Sequence, residues 1–238
     1  MDLILPVAGK SSRYPDVRPK WLLTHPSGNL MLVESILGLP LNSFDRIIVV
    51  CLNEHIEKYS CEQGIIKAFQ QIGCDSKLKI LKLMEATESQ PETVYEAIKQ
   101  AKVEGSFYVK DCDNFFEVKS IPPVNSVSTF NLHNLKSVNA SNKSYIRENE
   151  TGMITNIVEK QIISSNFCCG GYCFERSKDY IEVFEKIRQN ENLYISHVIL
   201  EMLLQNKPFV ALESSSYVDW GTLNEWEEYK SSFATLFL

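Results

Sequence analysis

The chain has 238 residues, 44% hydrophobic and 23% charged, the proportions of a globular protein with room for one large domain or two small ones. Its net charge of −6 excludes a broad nucleic-acid-binding face, while leaving room for a local basic pocket. No apolar run approaches the ~20 residues of a membrane span. Leu3–Val7 behind Asp2 is too short for a signal-peptide core, so the expected location is cytoplasmic, and the seven cysteines are expected to be free thiols. Their spacing contains no paired CxxC zinc pattern.

Taken in order, the chain opens with the apolar run Leu3–Val7, a strand that stops at Ala8-Gly9-Lys10-Ser11-Ser12-Arg13. Backbone N–H groups in such a loop have no helical partner and can cradle phosphate. Leu30–Leu39 has the apolar spacing of a helix. Ile47–Leu52 is a continuous β-branched run, as in a strand buried on both faces. A helix over 63–72, a strand over 78–83 and a helix over 93–103, with Pro91 at its start, follow. Phe107–Val109 is a short strand ending at Asp111-Cys112-Asp113, and Val124–Phe130 is another. The second half reads as a hairpin, Ser144–Glu148 and Met153–Glu159 around Glu150-Thr151-Gly152. A strand over 167–174 comes next, then helices over 179–188 and 195–204, a strand over 208–212, and a last helix from about Leu223 to Ser232.

The alternation of strands and helices predicts an α/β domain with a largely parallel sheet and helices on both faces. Residues 140–175 form a β-rich part of that single domain. Ligands of such sheets bind at the carboxyl ends of strands, and both the Ala8–Arg13 loop and the Asp111–Asp113 segment follow strands.

Five segments then carry a resemblance. Leu5-Pro6-Val7-Ala8-Gly9-Lys10-Ser11-Ser12-Arg13 with Pro19-Lys20 resembles the Gly-rich signature of the nucleotidyltransferases that join a nucleoside triphosphate to a phosphorylated small molecule. These are the sugar-nucleotide pyrophosphorylases with their cytidylyl- and guanylyltransferase relatives. Lys110-Asp111-Cys112-Asp113-Asn114-Phe115-Phe116 resembles their metal-binding strand end. Ile157-Val158-Glu159-Lys160, Gly170-Gly171-Tyr172-Cys173-Phe174 and Val218-Asp219-Trp220-Gly221-Thr222 resemble three further elements. The resemblance implies a single-domain Rossmann-like (GT-A-like) mixed, mostly parallel sheet. A nucleotide-binding half would span about 1–130 and an acceptor-binding half about 131–238. The chain departs from the pattern at Ser11, where a second glycine is usual, at Trp21, at the inserted 24–29 segment, at Gln161 and at Cys168. The last two fall in segments that touch the acceptor in sugar enzymes.

The implied chemistry brings two anions together and asks for alignment and charge stabilisation rather than proton transfer. The resemblance assigns Arg13 and Lys20 to the catalytic cations, with Arg13 a bidentate grip on phosphate. Val7, Ala8, Gly9, Lys10, Ser11, Ser12, Gln90 and Thr93 would hold the nucleotide, and Ser89-Gln90-Pro91 also reads as a helix N-cap. Glu159, Lys160 and Gly171 would meet the acceptor, and His25 in the insertion is a further candidate to touch substrate. Asp111, Asp113 and Asp219 would hold Mg²⁺. The first two are placed on one face if the strand continues through them. The expected partners are an NTP, with CTP favoured, and a phosphorylated acceptor such as a choline-like compound, an amino-acid phosphate or a sugar phosphate. Pyrophosphate would leave, and the product would serve capsule or surface-polysaccharide decoration. A homo-oligomer is compatible with this reading. The competing readings are a sugar-1-phosphate uridylyl-, thymidylyl- or guanylyltransferase, a non-catalytic nucleotide-binding module of the same fold, and a glycosyltransferase.

Overall fold

Strand residues alternate between two faces, and here both faces are apolar. Leu3, Leu5, Ile47 and Val49 face one layer, while Ile4, Ile48 and Val50 face the other. A strand of this composition is stable only with helices on each side. In the computed structural model, which describes the chain except for residues 10–13, 15–16, 136–138 and 236–238, that is the arrangement. The elements are β1 (Asp2–Pro6), α1 (Met31–Glu34), β2 (Arg46–Leu52), α2 (Asn53–Tyr59), α3 (Glu62–Gln71), β3 (Leu78–Leu83), α4 (Gln90–Ala101) and β4 (Phe107–Lys110). They continue as β5 (Asn114–Phe116), β6 (Ser126–Asn131), β7 (Ser144–Glu148), β8 (Ile154–Glu159), β9 (Asn166–Phe174), α5 (Ser177–Ile187), α6 (Ile195–Leu204), β10 (Val210–Glu213), β11 (Tyr217–Asp219) and α7 (Leu223–Thr235).

The main sheet has the order β10-β6-β9-β4-β1-β2-β3. Strands β4, β1, β2 and β3 pair in parallel, as do β6 and β10. β9 runs antiparallel to both β4 and β6, so it is the one reversed strand of this path. It also pairs with β7 at Tyr145–Phe167, which hangs the β7–β8 hairpin on the sheet. The layer holding Ile4 and Val50 also takes Val94 and Ile98 of α4, Tyr180 of α5 and Ile199 of α6. The opposite layer takes Leu32 of α1, Ile56 of α2 and Phe69 of α3. Both layers share one sheet, which makes one domain. No helix among the described residues is long and apolar enough to cross a membrane. All seven cysteines are unpaired.

Two sequence expectations change, and two elements are new. The helix expected over Leu30–Leu39 is a single turn, Met31–Glu34. A Cβ on Gly38 would meet the Phe116 carbonyl oxygen at 2.1 Å, and the Val118 amide donates to the Gly38 carbonyl at 3.0 Å. That close approach to β5, with Pro40 two residues on, turns the chain away from helix. The strand before Asp111 ends at Lys110, so Asp111 and Asp113 sit on a turn rather than on one strand face. The short β5–β11 ribbon and α2 were not anticipated.

Candidate functional site

The carboxyl ends of β1 and β4 and the start of α4 open on one cleft of about 730 Å³. Val7 and Gly9 line it after β1. Ala8 between them turns into the apolar layer and is fully buried. Lys10, Ser11, Ser12 and Arg13 lie outside the described residues. Tyr14 is buried and its hydroxyl donates to the carbonyls of Trp220 and Thr222, the latter at 3.1 Å. This ties the opening loop to the chain's far end. Pro19 then leads into a 3₁₀ turn, Lys20–Leu22, that aims Lys20 into the cleft, where it pairs with Asp113.

The turn after β4 is built on a buried cation. Lys110 has no exposed surface. Its ammonium donates to the carbonyls of Asp111 and Asn114 (3.0 Å for the latter) and to Asn114 Oδ1 at 2.7 Å, and it stands 4.6 Å from the Phe116 ring centroid. Burial lowers its pKa, against the pull of Asp111 and other acidic neighbours. Asp111 is pushed up to about 6 by burial and by Asp113 beside it, because ionising a second carboxylate there is costly. Gln90, at the first turn of α4, donates to Asp111.

The β5–β11 ribbon brings the remote acid to this turn. Asp219 stands opposite Asn114 in its register, and the Trp220 amide donates to the Asp113 carbonyl at 2.8 Å. One Asp219 oxygen accepts the Gly221 amide at 3.0 Å, and the other pairs with Lys143. Asp113 and Asp219 thus come together, each with a lysine on it, while Asp111 is turned to Gln90. Among the described residues, no group of three His, Cys, Asp or Glu side chains is placed to hold a metal. Mg²⁺ does not require one: it is held by one or two carboxylates, substrate phosphates and water. Asp113 and Asp219 have the chemistry and the placement for that share.

The far wall comes from the hairpin and from the segment before α6. Glu159, at the end of β8, accepts hydrogen bonds from the hydroxyls of Ser144 and Ser196, the latter at 2.6 Å. Lys160 has φ +56° and leans over Tyr194, its ammonium 4.3 Å from the ring centroid and donating to the phenol oxygen. Tyr172, Cys168 and Gly170 complete this wall. Gly170, rather than the expected Gly171, faces the cleft. Gly171 packs inward, where a Cβ would meet the Tyr108 hydroxyl at 2.0 Å.

Gln90 and Thr93 both line the cleft. Thr93 is buried and its hydroxyl lies 2.6 Å from that of Thr87. The N-cap reading holds at the same place, since Ser89 Oγ accepts the Glu92 amide at 3.3 Å. His25 is buried away from the cleft. Its Nδ1 lies 2.8 Å from the Ser27 hydroxyl and its Nε2 3.0 Å from the Tyr229 hydroxyl. Its ring lies 5.0 Å from that of Trp220. The 24–29 segment therefore anchors α7 under the Asp219 turn, and His25 does not line the cleft.

No protein-family model and no curated protein matches the chain by sequence. Solved structures do match by fold. A nucleoside-diphosphate-sugar pyrophosphorylase from Vibrio cholerae RC9 is 21% identical, with 96% of this chain and 99% of that chain covered and a TM-score of 0.77. An inositol-1-phosphate CTP transferase from T. maritima is 14% identical, with 94% and 90% covered and a TM-score of 0.73. A UDP-glucose pyrophosphorylase complexed with UDP-glucose is 14% identical, with 98% of each chain covered and a TM-score of 0.75. The chain has the sugar-phosphate nucleotidyltransferase fold.

Within that fold, Lys143, and Lys110 which the motif contained without a role, are among the residues that sequence reasoning missed as parts of the site. Lys110 carried one signal, a position between the apolar Phe107–Val109 run and Asp111. Lys143 carried only its place at the head of the hairpin.

Proposed function

We propose that the protein is a Mg²⁺-dependent nucleotidyltransferase that joins an NTP to a phosphorylated small molecule and releases pyrophosphate. The observation that carries the reading is the meeting of Lys20–Asp113 and Lys143–Asp219 in one cleft at the carboxyl ends of β1 and β4. Two cations beside two carboxylates suit a reaction between two anions. An acceptor phosphate oxygen attacks the α-phosphorus, a new P–O bond forms, and the bond to the β-phosphate oxygen breaks with its electron pair leaving on pyrophosphate. No proton need move, because the nucleophile is already ionised. Bound Mg²⁺ would supply Lewis-acid charge neutralisation of the phosphates, with Asp113 and Asp219 as its protein ligands. Lys20 stabilises charge on the reacting phosphates. Arg13, Lys10, Ser11, Ser12 and the amide of Gly9 would grip the triphosphate, with Gln90 and Thr93 toward base and ribose.

CTP is favoured as donor, in line with the CTP transferase among the structural neighbours. The acceptor would lie against the wall that Glu159 and Tyr172 share. A fixed carboxylate beside aromatic faces suits a cationic acceptor such as a choline-like phosphate or an amino-acid phosphate. A second reading, a sugar-1-phosphate with UTP or TTP, draws on the UDP-glucose pyrophosphorylase neighbour. Capsule or surface decoration would follow from either product. The test is a pyrophosphate-release screen of four NTPs against phosphorylated choline, ethanolamine, amino-acid and sugar acceptors. Lys20→Ala and Asp219→Ala should each lower turnover by roughly 10²–10³-fold, as for the loss of one transition-state donor. A folded protein that binds NTP and releases no pyrophosphate with any pair would refute the reading.

A further inference from the structure

We propose that Lys143 is a stand-in cation: its ammonium occupies the carboxylate of Asp219 before substrates arrive, and passes to a substrate phosphate when a divalent ion takes that carboxylate. The inference rests on the transferase reading for the identity of the phosphate, and on the structure alone for the exchange.

Lys143 sits at the head of β7, where its carbonyl accepts the Lys160 amide at 2.9 Å. This fixes the backbone against the hairpin partner. Its side chain is only 10% exposed and lies on the cleft wall. Two of its three N–H donors go to Asp219 Oδ2 and to the Tyr217 hydroxyl, the latter at 2.6 Å, and the ammonium lies 5.1 Å from the Tyr217 ring centroid. Among the described residues nothing takes the third. Asp219 is prepared for a cation in general. Its Oδ1 is held by the Gly221 amide, so Oδ2 keeps its direction when the lysine leaves.

The charge balance gives the exchange its reason. A carboxylate left bare beside an incoming triphosphate would repel it, and the ammonium prevents that. A divalent ion brings a stronger field to the same oxygen and frees one positive charge at the moment two anionic substrates need it. Lys160, the lysine the sequence motif singles out, is worse placed. Its head rests on Tyr194 and the residue is exposed. Lys143 is the inner of the two.

The test uses Mn²⁺ as a paramagnetic probe on the full-length, substrate-free protein, read by electron paramagnetic resonance. Lys143→Met removes the competing charge and should tighten Mn²⁺ binding by about three- to tenfold, the range expected for losing a partly screened ion pair. Lys143→Arg should return it toward the wild-type value, and adding Asp219→Asn to Lys143→Met should abolish the gain. If the Met variant does not fold, Lys143→Gln carries the same measurement. In turnover, Lys143→Met should raise the KM of a phosphorylated substrate. Mn²⁺ affinity that is unchanged or weaker in the neutral variants, including no binding by any of the proteins, overturns the exchange. Wild-type pyrophosphate release alongside unchanged Mn²⁺ affinity would sink the exchange and leave the transferase standing. Tightened Mn²⁺ binding with no pyrophosphate release from any pair would do the reverse.

Discussion

Lys110→Met would test how the turn bearing Asp111 and Asp113 is held. Methionine nearly matches the lysine stem, so the change removes donors and charge with little change in volume. Three oxygens lose their donor: the buried carbonyl and Oδ1 of Asn114, and the half-buried carbonyl of Asp111. An orphaned buried acceptor costs about 1–3 kcal/mol. Relief of the desolvation that already lowers the Lys110 pKa returns part of this, leaving a net loss of about 3 kcal/mol. For a chain of this size each kcal/mol moves the midpoint by about 2–4 °C, so Tm should fall by roughly 6–12 °C. The assay is thermal unfolding followed by circular dichroism at neutral pH. Pyrophosphate release should fall as well, below the melting range of the variant, because Asp113 sits on the loosened turn. A Met variant that melts within about 1 °C of wild type, or above it, would refute the reasoning. It would mean that the three oxygens find other partners or that the ammonium costs more than its hydrogen bonds return.

Two further predictions concern backbone and pH. Gly170 has φ +86°, and a Cβ there would lie 2.6 Å from Asp111 Oδ2 and 2.7 Å from Asn114 Nδ2. Gly170→Ala should therefore lose about 2–3 kcal/mol, against about 1 kcal/mol for Gly152→Ala, whose φ of +75° opens on empty space. Equal losses in thermal melts would remove the collision argument. Burial lowers the His25 pKa below its usual 6.5, against an opposing pull from Glu34. The unfolded chain then binds the proton more readily than the folded one, so stability should be full above about pH 6.5 and fall as pH drops from there toward the folded-state pKa. His25→Gln should flatten that part of the Tm–pH curve, and an unchanged slope would show that another group titrates.

Much of the fold was legible because its strands and helices carry their own pattern. The runs over 78–83 and 195–204 keep their predicted bounds, the second because its apolar positions recur at helical spacing and bury a face wherever the chain goes. The segment over Leu30–Leu39 has the same kind of period and fails, because Gly38 must let β5 approach and no local pattern records that neighbour. The reversed direction of β9 is equally silent: Asn166–Phe174 would read the same in either orientation.

The site divides along the same line. Lys20, Asp113 and Asp219 were given roles from motifs, while Lys110, though inside one, and Lys143 were not, since a lysine's burial is decided by what folds over it. What turns the named residues into one cleft is the register of a ribbon only three pairs long, with Tyr217 on Phe116, Val218 on Phe115 and Asp219 on Asn114. Side chains alternate along it, so a slip of one residue would turn Asp219 to the other face. It would also break the Trp220 bond to Asp113 that holds the two acids together. Tyr14, bonded to the Trp220 and Thr222 carbonyls, and His25, packed on Trp220, both press on that register from outside it. The 24–29 segment that carries His25 therefore bears on the chemistry by keeping Asp219 in place, which is why a buried histidine outside the cleft belongs to the account of the site.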